Sequence, residues 1–111
     1  MTALTRDLLL ASDREVKEVQ VPEWGGTVYV RSLTLAELLA LEEQVGAVQD
    51  DGPLAIAYQL AAFICDASGE PLFTVADVPA LVAKRGTAAT RIVKAGTEMN
   101  RVFDVEAAKG N

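Results

Sequence analysis

Histidine is absent from this chain. Its absence excludes a Ser-His-Asp triad, a Cys-His pair, His-ligated zinc and imidazole acid–base catalysis together. Cysteine occurs once, as Cys65, so no internal disulfide can form and a reducing compartment is the simpler setting. Basic residues are scarce: 10 Lys+Arg against 16 Asp+Glu leave a net charge of -6 and a pI near 4.5. That balance argues against a partner gripped through its phosphates. Long hydrophobic runs are missing too. The longest nearly uncharged stretch, Pro53 to Cys65, is too short to span a bilayer. Met1 to Ala11 is interrupted by Arg6 and Asp7 and shows no signal-peptide core.

What is present describes an ordinary small domain. The 111 residues are 50% hydrophobic and 23% charged, which fits a globular protein and not a disordered tail. A chain of this length buries roughly two-thirds of its unfolded surface without staples. Small, acidic, and with no acid–base pair in view, the chain is expected to work by binding.

Thr2 to Ala11 reads as a short helix with Leu4 and Leu8 on one face, short enough to need docking. The period then changes. Val19 and Val21 alternate with polar residues, as do Val28 and Val30, around Pro22-Glu23-Trp24-Gly25-Gly26. This pattern predicts a β-hairpin whose glycines supply positive φ. Thr34 and Glu37 have capping-box spacing at the start of a helix bearing Leu35, Leu38, Leu39, Leu41 and Val45. Asp50-Asp51-Gly52-Pro53 breaks the chain, with Pro53 suited to a first helical turn. Leu54 to Cys65 carries no charge and is expected to be a helix enclosed by others, the central strut of the core.

Asp66 to Pro71 is a turn, and Leu72-Phe73 follows as an apolar anchor. Thr74 pairs with Asp77 as a second cap, with a short helix expected from Pro79 to Lys84. Gly86 should end it. Thr87 should cap a last helix reaching Phe103, with Ile92, Ala95, Met99, Val102 and Phe103 on one side. Gly96 weakens the middle of that helix by about 1 kcal/mol relative to Ala. The fold expected is α+β: a β-hairpin packed against four to five helices, helix-dominated, in one domain. Its span is residues 1–103, and residues 104–111 form a tail without pattern.

Few residues invite a chemical role. Cys65 has no His, Lys or Arg near it in sequence and reads as a small hydrophobe. Glu42-Glu43 and Asp50-Asp51 read as solvated helix and turn chemistry, since adjacent helical residues diverge by about 100°. Gly25-Gly26 lacks the following Lys-Ser/Thr of a phosphate cradle. No catalytic residue, cofactor or metal site is expected. Trp24, alone of its type and placed in the hairpin loop, is either a partner anchor or a ring folded back onto the protein, with packing the favoured reading. Tyr29 and Arg31 on the second arm of the hairpin complete the set of candidate partner-binding residues.

The run Glu18 to Thr34, EVQVPEWGGTVYVRSLT, resembles the N-terminal region of tail assembly chaperones from long-tailed, siphovirus-type bacteriophages. There a Val-Pro-x-Trp-Gly-Gly hairpin precedes an Arg-x-Leu-Thr helix start. Cys65-Asp66, Ser68-Gly69-Glu70, Leu72-Phe73-Thr74, Asp77 and Asn100 follow in the order of that family. Pro79 and the very apolar Leu54 to Cys65 depart from it.

The resemblance implies a protein that binds the tape measure protein, keeps it soluble and helps recruit tail tube subunits. It also implies a place in the host bacterial cytoplasm and absence from the mature virion. The family's longer product arises by ribosomal frameshifting, and Lys109-Gly110-Asn111 is compatible with a G-GGA-AAC slip site. Through such a longer product the tail tube protein would be a second partner. Neither nucleic acid nor membrane is expected as a partner, and the oligomeric state is not legible. The alternative is a structural virion component, such as a tail-tube or head–tail connector adaptor.

Overall fold

The computed structural model describes residues 3–101; Val102, Phe103 and the tail at 104–111 lie outside the described residues. The chain folds as a mixed α+β domain: a three-stranded antiparallel sheet and, among the described residues, five α-helices.

After a short helix, α1 (Arg6–Leu10), the hairpin of β1 (Val16–Val21) and β2 (Gly26–Arg31) forms as its alternation predicts. Val19 faces Val28 and Lys17 faces Val30 across the ladder, which puts Val19, Val21, Val28 and Val30 on one face of the sheet. The tip is a 3₁₀ turn over Pro22–Trp24 closed by Gly25 at φ 67°. Gly25 alone carries the positive φ; Gly26 already belongs to β2. Helix α2 (Leu35–Ala47) opens on the expected capping box, with Thr34 Oγ1 accepting from Glu37 N and Glu37 Oε1 accepting from Thr34 N. Helix α3 (Gly52–Phe63) starts where the break predicts, Asp51 accepting from Leu54 N and Pro53 in the first turn.

Helix α3 is the central strut, in contact with α2, α4 (Val78–Leu81) and α5 (Gly86–Met99). Ala57, Leu60, Ala61 and Phe63 are buried along it. It stops earlier than the sequence suggests. Ile64 and Cys65 leave the helix as β3 and pair with Val30 and Tyr29 of β2. β-Branched Ile64 suits an extended backbone, and the ladder with β2 supplies backbone partners once the helix has ended.

The Asp66 turn holds through its own carboxylate, which accepts from Ser68 N, Ser68 Oγ and Glu70 N. Gly69 at φ 92° lets that turn close, and a Cβ there would stand 3.2 Å from Arg14 Cγ and 3.4 Å from Val16 Cγ2. The turn therefore folds over the second face of the sheet. Of the expected anchor, Phe73 packs against the core and Leu72 points into solvent. Asp77 Oδ2 accepts from Thr74 N and Thr74 Oγ1 at the start of a 3₁₀ turn, and α4 follows with Pro79 in its first turn.

Three further expectations are corrected. Gly86 begins α5 and does not end the preceding helix, so Thr87 lies inside α5 and Arg85 is the residue before it. Helix α1 buries none of its residues, with Leu4, Leu8, Leu9 and Leu10 all exposed; the expected docking is not made to any described part of the chain. Gly96 is not only a weak point in α5. It is buried where Phe63 Cδ2, Cγ and Cε2 occupy the space a Cβ would need. The core that results combines Val19, Val21 and Val30 of the sheet with Leu60, Phe63 and Ile64, capped by Val78, Leu81 and Ile92.

Candidate functional site

Helices α3, α4 and the first turns of α5 do not close on one another completely. Between them runs a groove of about 410 Å³, floored by Ile56, Ala57 and Leu60 of α3 and Ala89 of α5, with Leu81 and Val82 on the α4 side. Its composition follows from local causes. Helix α3 is apolar nearly all round, so the stripe not consumed by its contacts with α2, α4 and α5 remains available. Alanine at 57 and 89 leaves depth where larger side chains would meet. Val82, 42% exposed, is an exposed large hydrophobic side chain in its wall.

The hairpin tip stands at the rim of this groove. Lys84, one of its lining residues, places Nζ 5.1 Å from the centroid of the Trp24 ring, within cation–π range. The tip is held there by charge: Arg91 of α5 pairs with Glu23. The Thr87 hydroxyl beside the Glu23 carboxylate, together with Arg91, holds its pKa below the ordinary carboxylate value. Thr87 thus serves the hairpin and not the cap of its own helix. Trp24 remains 36% exposed, so it is partly packed and partly open.

A second polar assembly lies at the far end of β2. Arg14 Nη1 donates to Glu37 Oε1 at 2.6 Å and to the Ser32 carbonyl at 2.6 Å. Arg31 Nη1 donates to Glu37 Oε2 at 3.1 Å and its Nε to the Ala62 carbonyl at 2.9 Å. One carboxylate therefore ties the segment before β1, the end of β2 and the start of α2, and Arg31 carries the link on to the end of α3. The Arg14 hydrogen bond, with help from Thr34 N and Arg31, pulls the Glu37 pKa down to about 2. Asn100 completes this end, its Oδ1 accepting from Leu33 N at 2.7 Å and its Nδ2 donating to the carbonyls of Gly96 and Arg31.

The structure separates the three candidate binding residues. Trp24 lies at the groove; Tyr29 is half-buried in mid-strand, its hydroxyl 3.4 Å from Glu18 Oε1; Arg31 is 6% exposed with its guanidinium committed inside. Cys65 is buried, and that burial pushes its thiol pKa up, away from nucleophilic use. Among the described residues no group of His, Cys, Asp or Glu is arranged to hold a metal, and no helix is long and apolar enough to cross a membrane. The groove itself was beyond sequence reasoning. Its one available signal was the uncharged run of α3, which shows an apolar surface but not which part stays open.

Comparison with known proteins places this architecture. The family described as "Phage tail assembly chaperone, TAC" matches residues 4–105. No curated protein sequence matches the chain. Among solved structures, the fold is similar to that of the bacteriophage HK97 tail assembly chaperone, with a TM-score of 0.65 at 24% identity, covering 89% of this chain and 95% of that one. At that identity the likeness speaks for the fold, and the family match, which takes in the hairpin and every helix among the described residues, speaks for membership: the chain belongs to the phage tail assembly chaperone family.

Proposed function

We propose that this protein binds the tape measure protein of a long-tailed phage during tail assembly and keeps it soluble until tube subunits are laid around it. The observation that carries the reading is the open, almost wholly apolar groove between α3, α4 and α5 in a member of this family. A tape measure protein must present long apolar or amphipathic helices. A helix laid in such a groove buries its apolar stripe at about 25 cal/mol per Å² removed from water. Acidic surface elsewhere keeps the complex in solution, since the chain carries a net charge of -6.

In this reading the protein acts in the host bacterial cytoplasm and leaves before the virion is finished. Tail tube subunits are recruited through a longer product made by a slip over Gly110-Asn111. Neither nucleic acid nor membrane takes part, and the chain performs no catalysis.

Co-expression with the tape measure protein of the same phage tests the reading. The expected result is soluble tape measure protein that co-purifies with this chain and is insoluble without it. Equal solubility in both cases, with no co-purification, overturns it. Mass spectrometry of purified particles adds a second check, because a structural component stays in them and a chaperone does not.

A further inference from the structure

The two walls of the groove differ in charge. On one side α3 is uncharged from Gly52 to Phe63, with Asp50 and Asp51 just ahead of it, and Asp51 is occupied in capping Leu54 N. On the other side the α4–α5 segment carries Lys84, which lines the groove, and Arg85, Arg91 and Lys94, with no carboxylate between Asp77 and Glu98 in sequence. This is a basic ridge on a molecule of net charge -6. Arg91 is paired with Glu23, and Lys84 lies over Trp24. Arg85 and Lys94 are exposed. Arg85 directly precedes Gly86, and Lys94 stands one helical turn beyond Thr90, so both flank residues that line the groove. The first turn of α5 has no acidic residue and no side-chain cap, which adds the positive end of its dipole to the same wall.

We infer that the groove takes the apolar face of an amphipathic helix whose flank toward α4 and α5 is acidic. The inference rests on the tape measure reading and names the chemistry of the segment held. Apolar contact along Ile56, Ala57 and Leu60 gives adhesion with little discrimination, whereas the charged ridge sets the orientation and register of the helix. A strand gains little here, because the groove lies between helices and offers no sheet edge to extend.

Two synthetic peptides of equal length test this, sharing one Leu face at i, i+3, i+4 and i+7 and carrying either Glu or Lys on the flanks. Trp24, the sole Trp, reports binding by fluorescence, and calorimetry gives the affinities. The Glu peptide is expected to bind about tenfold more tightly at low salt, with the gap closing in high salt. Arg85→Glu with Lys94→Glu should erase or reverse that preference, and Val82→Glu should weaken both peptides, with folding checked by circular dichroism. Equal affinities in the wild type, or a Glu preference that survives the double reversal, overturn the inference. So does binding indifferent to Val82→Glu. The tape measure reading fails separately: if wild type does not solubilise that protein, the function is wrong. If it does and the double reversal changes nothing, only the ridge is.

Discussion

The ring of Phe63, the last residue of α3, lies directly on the Cα of Gly96 in α5, so closely that no side chain fits between them. A methyl group at 96 would overlap Phe63 Cδ2 and Cγ and stand 2.8 Å from Cε2. Two effects oppose each other in Gly96→Ala. Helix propensity gains about 1 kcal/mol, while overpacking a fixed aromatic ring costs about 1–3 kcal/mol or more. Because the ring is 3% exposed and has no free space to retreat into, overpacking should win. The expected outcome is a net loss of about 1–2 kcal/mol in urea melts. Gly96→Ala combined with Phe63→Leu should recover part of it.

Glu37 links three otherwise separate parts of the chain, and its pKa is held at about 2 against an ordinary 4.5. A depressed folded pKa contributes stability that is fully present above 4.5 and lost as pH falls toward 2. With 32% of its side chain exposed, solvent screening reduces that contribution to about 1–2 kcal/mol. Glu37→Gln should cost about 2–3 kcal/mol near neutral pH, more than the pair itself contributes, because buried Arg31 loses its counter-charge. Denaturant melts between pH 7 and pH 2 should show the wild type weakening through the acid range and Glu37→Gln weakening less.

Local chemistry explains which parts of this fold were readable in sequence. The hairpin, the Thr34–Glu37 and Thr74–Asp77 boxes, the Asp51–Pro53 helix start and the Asp66 turn are each decided by residues within a few positions of one another. What escaped depends on distant partners. Arg14, Arg31 and Glu37 are unremarkable charges until the fold brings 14 and 37 together. Thr87 looked like a cap because its true partner, Glu23, is on the hairpin. Gly96 looked like a defect because only the packed structure places Phe63 above it. Ile64 and Cys65 end a long apolar run with no break in the pattern, and the switch from helix to strand is made by pairing with β2. At the candidate site Trp24 could be picked out in advance, whereas the groove beside it is formed by elements far apart in the chain.

Helix α1 carries leucines that the folded chain does not use. Leu8 and Leu9 are 62% and 64% exposed, and the helix buries nothing. Leu8→Ser with Leu9→Ser should therefore leave unfolding free energy within about 0.5 kcal/mol of wild type. A loss of several kcal/mol in thermal or urea melts would mean that these side chains are covered in solution.

Asn100 joins the end of α5 to the connection between β2 and α2 by three hydrogen bonds, to Leu33 N, the Arg31 carbonyl and the Gly96 carbonyl. Asn100→Ala takes the side-chain partner from Leu33 N and from the Arg31 carbonyl, while the Gly96 carbonyl keeps its bond from the backbone N of residue 100, and should cost about 1–3 kcal/mol. Asn100→Asp keeps the acceptor for Leu33 N but turns a carboxylate toward two carbonyl oxygens, so it should recover little of the loss. Hydrogen exchange at Leu33 separates the two variants, since its amide stays bonded in the aspartate and opens in the alanine.

Trp24 tests packing and binding in one residue. Its ring is 36% exposed, so its truncation cannot cost the whole amount expected for a buried tryptophan, about 3–5 kcal/mol. The contact with Lys84 contributes about 0.5–1 kcal/mol at an exposed site, and partial burial of the indole adds to it. Trp24→Ala should lower stability by about 1–2 kcal/mol, and Lys84→Ala by less than half as much. If the groove is the binding surface, Trp24→Ala should in addition weaken partner binding by about 2 kcal/mol, close to thirtyfold. Trp24→Phe separates the two contributions, because it keeps an aromatic face for Lys84 while removing indole area at the rim. Melts and a pull-down on the same three variants should then show stability largely restored in Trp24→Phe and binding restored only in part. A variant that loses stability but keeps full binding would take the hairpin tip out of the partner surface.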